Sequence, residues 1–211
     1  MRALAARTVA ALNGMGIGRN DRVAMVLPNG PEMAAAFVAV ACSATTAPLN
    51  PAYRADDFIF YLADLNAKCL LILEGMESPA RAVAAEQGLP IVELVPTGTA
   101  AGDFSLRPQQ PLSGTPAQPG AAQPDDIALV LHTSGTTSRP KIVPLRQINI
   151  SSSAYHIVEN LRLGPDDVCL NIMPLFHIHG LIAAVLSSLA AGASVSCSPG
   201  FNAFRFFTWF E

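Results

Sequence analysis

Charge is what this chain has least of. Only 14% of its 211 residues are Asp, Glu, Lys or Arg, and none of them lies between Asp167 and Arg205. The 13 Lys and Arg residues nowhere gather into a stripe, and the formal net charge is -3. That excludes the electrostatic footprint of a nucleic-acid or acidic-membrane surface, while leaving small anions within reach of single basic residues. Cysteine is also scarce: Cys42, Cys69, Cys169 and Cys197 stand far apart with no CxxC pair. Each follows or sits in an apolar run, which predicts reduced, buried thiols in place of disulfides or metal ligands. The opening MRALAARTVAALNGMG reads as an amphipathic helix and not as a secretion signal, because it alternates arginines with Ala, Leu and Val at helical spacing and has no continuous apolar core. A cytoplasmic location is the expectation. A membrane span is missing as well: LIAAVLSSLAAGASV, at 181 to 195, holds three serines and a glycine and falls short of the roughly 20 apolar residues a bilayer needs.

Apolar residues are abundant by contrast, at 51%. For so few charges this implies that part of the surface is covered by something outside the chain, and it leaves room for self-association through an exposed apolar face.

Periodicity predicts a helix over 2–13, stopped by Gly14, Gly16 and Gly18, then a short strand over 22–27. Pro28-Asn29-Gly30 is a turn, and Pro31 starts a helix to about 43. A strand over 45–49 follows. Asp56 and Asp57 favour a helix start that runs to Asn66, since carboxylates suit free amide groups there. Cys69 to Leu73 reads as a buried strand, 79–87 as a helix ending at Gly88, and Pro90 to Leu94 as a strand. The pattern resumes with strands over 127–131 and 142–145, a helix over 147–160, a strand over 168–172, a buried crossover helix over 179–190 and a strand over 193–197. This alternation marks an α/β fold with mostly parallel sheets flanked by helices.

Three segments result. Residues 1–95 form a first α/β portion. Residues 96–124 hold five prolines from Pro108 to Pro124 among Gly, Gln and Ala, which predicts a linker or surface excursion. Residues 125–211 carry a strand-loop-strand and a further α/β portion. The closing FNAFRFFTWFE sets six aromatics in eleven residues, and either docks back on the domain or marks a truncated chain.

Two stretches carry chemistry. In DIALVLHTSGTTSRPKIVPL, residues 126 to 145, a strand enters a loop rich in hydroxyls: Thr133, Ser134, Gly135, Thr136, Thr137, Ser138 and then Lys141. Small residues let backbone amides approach a phosphate, Ser and Thr add donors, and a lysine supplies a flexible point charge. Gly135 to Lys141 has the Walker A spacing but not its chemistry. Pro140 has no amide hydrogen where the second glycine should be, and Ile142 replaces the hydroxyl residue that should reach magnesium. An ordinary Ser/Thr turn with a solvated lysine is the competing reading. In MPLFHIHG, residues 173 to 180, His177 and His179 are two apart at a strand end and would share a side in extended backbone. No third ligand lies nearby for zinc. They read as pocket-lining residues, with a helix-start residue packed on the sheet as the alternative for His179. His132 and His156 read as isolated and structural.

The order of TSGTT, Pro140-Lys141 and PLFHIHG resembles the adenylate-forming superfamily of AMP-forming acyl-CoA synthetases. The form TSGTTSRPK with VPL after it is similar to the oxalate-CoA ligase branch and its malonate-CoA neighbours; Ser138 stands where most members have glycine. The resemblance implies part of a large N-terminal domain, and a two-step reaction in which a carboxylate and ATP give an acyl-adenylate and CoA then displaces AMP. It implies that Thr133 to Thr137 and Ser138 wrap ATP phosphates, with Thr137 at Mg2+, that Lys141 holds the leaving pyrophosphate, and that His177, with His179, meets the carboxylate. A short dicarboxylate, oxalate first, is the expected acid. The chain holds well under half of the family's length, so the parent would be a ligase while this fragment alone is expected to lack activity. Alternatives are a non-catalytic nucleotide- or partner-binding α/β module and a fatty or aromatic acyl-CoA ligase fragment.

Overall fold

The computed structural model describes residues 1–133 and 140–210. Its centre is a seven-stranded sheet in the order β5-β4-β3-β1-β2-β6-β7. The strands are β1 (Arg22–Val26), β2 (Thr45–Pro48), β3 (Cys69–Leu73), β4 (Ile91–Pro96), β5 (Phe104–Pro108), β6 (Ile127–Thr133) and β7 (Lys141–Arg146). From β4 to β6 every pairing is parallel, and β5 and β7 close the two edges antiparallel. Helices α1 (Arg2–Gly14), α2 (Pro31–Ala41), α3 (Ala55–Leu65), α4 (Pro79–Glu86) and α5 (Gln147–Leu161) flank it. A separate parallel pair, β8 (Val168–Asn171) and β9 (Ser194–Cys197), lies beyond α5.

Alternation along each strand divides the core into two layers. Val23 and Met25 of β1, Cys69 and Leu71 of β3, and Leu129 of β6 join α1, α2 and α5 on one face. Ala24 and Val26, Leu70 and Ile72, and Val130 join α3 and α4 on the other. Strands buried on both faces need continuous apolar runs, and the five residues of β3 are Cys-Leu-Leu-Ile-Leu for that reason. On the first of these faces, α2 is the most enclosed helix, with Phe37 and Val40 at 0% exposure. Pro31 at its first turn costs no hydrogen bond, because that amide would have no helical partner.

Most elements fall where periodicity predicts, and the differences are physical. Within 96–124 the structure has β5, whose alternating burial of Phe104 and Leu106 against exposed Ser105 is hidden in sequence by the surrounding glycines and prolines. The proline-rich stretch after it is tied down by backbone groups. Arg19 N–H donates to Gln118 O at 2.9 Å, Gly120 N–H to Asn13 Oδ1 at 2.6 Å, and Ala122 N–H to Cys42 O at 2.8 Å. The single helix expected over 179–190 is a π-helical segment, His179–Leu186, that passes into α6 (Ser187–Ala190). The two windings differ by less than one residue per turn, so two turns of apolar spacing do not separate them. Of the cysteines expected to be buried, only Cys69 is; Cys42, Cys169 and Cys197 are half-buried, and all four are free thiols. The aromatic ending does not dock back: α7 (Phe206–Phe210) is short, and Phe204, Phe207 and Phe210 are 99%, 75% and 72% exposed.

One ion pair anchors the start of β6. Asp126 is buried and accepts from Arg19 Nε at 2.6 Å, from Asn20 Nδ2 at 2.9 Å and from the Gln123 amide at 2.7 Å. The Arg19 guanidinium holds its carboxyl below the usual range, against the upward push of burial, with the Gln123 and Asn20 donors helping. A depressed carboxyl contributes its stability in full above the unfolded value of about 4 and loses it as pH falls through the folded one. Asp126→Asn should therefore lower Tm by roughly 2–8 °C at pH 7. The gap from the parent should shrink as thermal melts are taken toward pH 3.

Candidate functional site

The site is built around the antiparallel pair β6 and β7. Thr133 and Lys141 are register partners at its open end, and Thr133 Oγ1 lies 3.5 Å from Lys141 O. Both residues are exposed. The hairpin therefore holds the two ends of the hydroxyl-rich loop side by side. The expected phosphate-binding residues Ser134, Gly135, Thr136, Thr137 and Ser138, and with them the expected metal contact, lie outside the described residues. Next to Thr133 on β6, His132 is not isolated. Its Nε2 lies 3.0 Å from Asp64 Oδ2 of α3, and Tyr61 meets the imidazole edge-on with centroids 4.6 Å apart.

From Lys141 the strand runs about 13 Å, at 3.3 Å per residue, to Leu145, and then turns directly into α5. Leu145, with Asn149, Ser153 and Ile157 of α5, forms one wall of a cavity of about 380 Å³. His177, His179 and Ile182 form the other wall. The histidines do share a side, but not through extended backbone. Residues 175–177 turn, His177 N–H donates to Pro174 O at 3.2 Å, and His179 N–H approaches His177 Nδ1 at 3.4 Å. His179 is exposed, which overturns the alternative of a helix-start residue packed on the sheet. His156 is exposed on α5 and away from that wall.

Among the described residues no acidic side chain lines this cavity, so an anion entering it would meet amide, hydroxyl and imidazole groups against an apolar floor. Among the described residues no three His, Cys, Asp or Glu side chains converge to hold a metal ion. A divalent ion bound chiefly through nucleotide phosphates, in the manner of Mg2+, needs no such cluster. No helix among the described residues is long and apolar enough to cross a membrane.

Sequence reasoning missed three contributors. Asn149 and Ser153 lie one turn apart on α5 and face the cavity; their i, i+4 spacing was visible, but nothing marked that face. Asn29, read only as part of a turn, reaches the histidine segment through two hydrogen bonds.

A sequence model of the family described as "AMP-binding enzyme" matches residues 1–211. The chain belongs to that family. An oxalate–CoA ligase of Arabidopsis thaliana is 44% identical over 185 residues, 86% of this chain and 35% of that protein. A probable CoA ligase of Humulus lupulus is 42% identical over 184 residues, again 86% of this chain and 35% of that protein. Among solved structures, ATP-bound MatB from Rhodopseudomonas palustris superposes with a TM-score of 0.78 at 27% identity, covering 98% of this chain and 40% of that one. The chain thus spans between a third and two fifths of the length of these three proteins.

The turn that carries His177 depends on a glycine. A Cβ at Gly180 would lie 2.5 Å from the Pro174 carbonyl oxygen, the acceptor for His177. Gly180→Ala should destabilise the protein by roughly 1–3 kcal/mol through overpacking, read as a lower urea midpoint with an unchanged slope.

Proposed function

We propose that this chain supplies the phosphate-holding and carboxylate-facing walls of an ATP-dependent acid–CoA ligase. One observation carries the reading. The hairpin that bears Thr133 and Lys141 continues without a break into α5, and α5 shares one cavity with His177 and His179. A loop suited to polyphosphate and a pocket suited to a carboxylate thereby hang on one rigid strand, as a reaction between the two substrates requires.

In this reading the substrates are a carboxylic acid, MgATP and CoA. The acid attacks the α-phosphorus, releasing pyrophosphate, and the CoA thiol then displaces AMP from the acyl group. Most of the catalytic demand in the first step is placement and neutralisation of phosphate charge. Thr133, Ser134, Gly135, Thr136, Thr137 and Ser138 donate to the β and γ phosphates, Thr137 also meeting Mg2+, and Lys141 stabilises the pyrophosphate as it leaves. His177 orients the carboxylate, and His179 borders the same space. A short dicarboxylate, oxalate first, is the acid in this reading. Support comes from two relatives named oxalate–CoA ligase, at 44% and 37% identity.

The test is acid-dependent pyrophosphate release by the complete gene product, with oxalate as the first acid. Lys141→Ala should lower kcat by roughly 100-fold, about 2.7 kcal/mol of lost charge stabilisation, with little change in Tm; unchanged release would sink the assignment. His177→Ala should raise KM for the acid by roughly 10-fold and leave KM for ATP near its parent value. An unmoved acid dependence would make His177 structural.

A further inference from the structure

The segment that presents His177 has an unusual tether. Met173 and Leu175 flank Pro174, whose ring nitrogen cannot donate, so this stretch has one fewer backbone hydrogen bond available to hold it. The side-chain amide of Asn29 takes both neighbours at once. Its Nδ2 donates to Met173 O at 3.1 Å, and its Oδ1 accepts from Leu175 N–H at 2.9 Å. A primary amide presents donor and acceptor side by side as a peptide does, and Asn29 acts here as a one-residue piece of sheet. Asn171 completes the clamp from the other side, donating to Met173 O and accepting from Met173 N–H, each at 3.1 Å. Pro174, caught between these ties, offers its carbonyl to His177 N–H at 3.2 Å, and Gly180 closes over the same oxygen.

Asn29 itself cannot wander. It follows Pro28 three residues after β1, the fourth of seven strands, and its other neighbour Gly30 caps α2. The imidazole of His177 is thereby referenced to the middle of the sheet, although 148 residues separate the two in sequence.

We propose that Asn29 is a positioning residue for the acid-activating step: through Met173 and Leu175 it sets the Pro174 turn, and so the place of His177 against the carboxylate. The proposal rests on the functional reading above. It assigns Asn29 no contact with any substrate.

The experiment compares Asn29→Ala and Asn29→Asp with the parent and with His177→Ala in the complete gene product. Aspartate keeps the volume and the acceptor for Leu175, but turns a second oxygen toward the Met173 carbonyl where a donor is required. Should alanine prevent folding, aspartate carries the test. Two quantities are read: hydrogen exchange of the amides in 173–181, and the steady-state constants for acid and for ATP. Both variants are expected to speed exchange in that segment by roughly 10-fold or more and to raise KM for the acid by roughly 5- to 10-fold, with KM for ATP within about twofold. Unchanged exchange overturns the proposal, as does faster exchange with an unmoved acid KM when His177→Ala does move it. If His177→Ala leaves the acid KM unmoved, the functional reading fails and the role of Asn29 in the reaction falls with it; the exchange data then show separately whether the clamp held the turn.

Discussion

Two buried threonines hold the halves of the sheet together. Between β2 and β6 only Thr46 and Leu129 are in ladder register, yet β6 must sit firmly, since it carries the hydroxyl-rich loop. Thr45 Oγ1 donates to Ile127 O at 2.6 Å and Thr46 Oγ1 to Ala128 O at 2.8 Å. Both hydroxyls lie where water does not reach, so either would be left unpaired if β6 slid by one residue. A one-residue slip would also turn Leu129 and Val130 to the wrong faces. Side-chain chemistry therefore supplies the register that a short ladder does not. The positions of Thr133, of β7 paired with β6 and of the cavity wall on α5 all follow from that register.

Much of this was legible beforehand, and the reason is local. Strands such as Cys69–Leu73 announce themselves by continuous apolar residues, and helices such as Pro31–Ala41 by a proline start and a run of Ala, Phe and Val. The TSGTT loop and the PLFHIHG stretch could be found because each packs its chemistry into a few adjacent residues. What escaped was set by distance or by subtle winding. Nothing near Asn29 hints at partners more than 140 residues away, since an asparagine after proline reads equally well as a turn. Edge strand β5 was masked by the glycines and prolines around it. The π-helical winding of His179–Leu186 differs too little from an α-helix over two turns for apolar spacing to record it.

The candidate site shows the same division. Lys141 and Thr133 were recognisable, and the hairpin brings them face to face; His177 and His179 were recognisable too, though for a reason that proved mistaken. Their common side arises from a turn in which one histidine's backbone donates toward the other's ring. The two histidines thus share a side as expected, through a backbone geometry other than the one expected. Extended backbone was expected because the histidines follow the strand over 168–172, whereas Pro174 between them and that strand favours a bend.

The edges of the sheet have a consequence of their own. On the outer strand β7, Pro144 stands opposite Val130 and has no N–H, and Lys141 and Arg146 sit at its ends. At the opposite margin, β5 ends at Pro108, and Arg107 on it is bound to Glu93 and Glu74. An incoming extended chain would find a donor missing on one side and a guanidinium already engaged on the other. Lateral growth by strand addition is therefore discouraged at both ends. In a chain with so few charges, two prolines and three basic residues thus stand on the two edge strands of the seven-stranded sheet, where they are needed to discourage pairing with another strand.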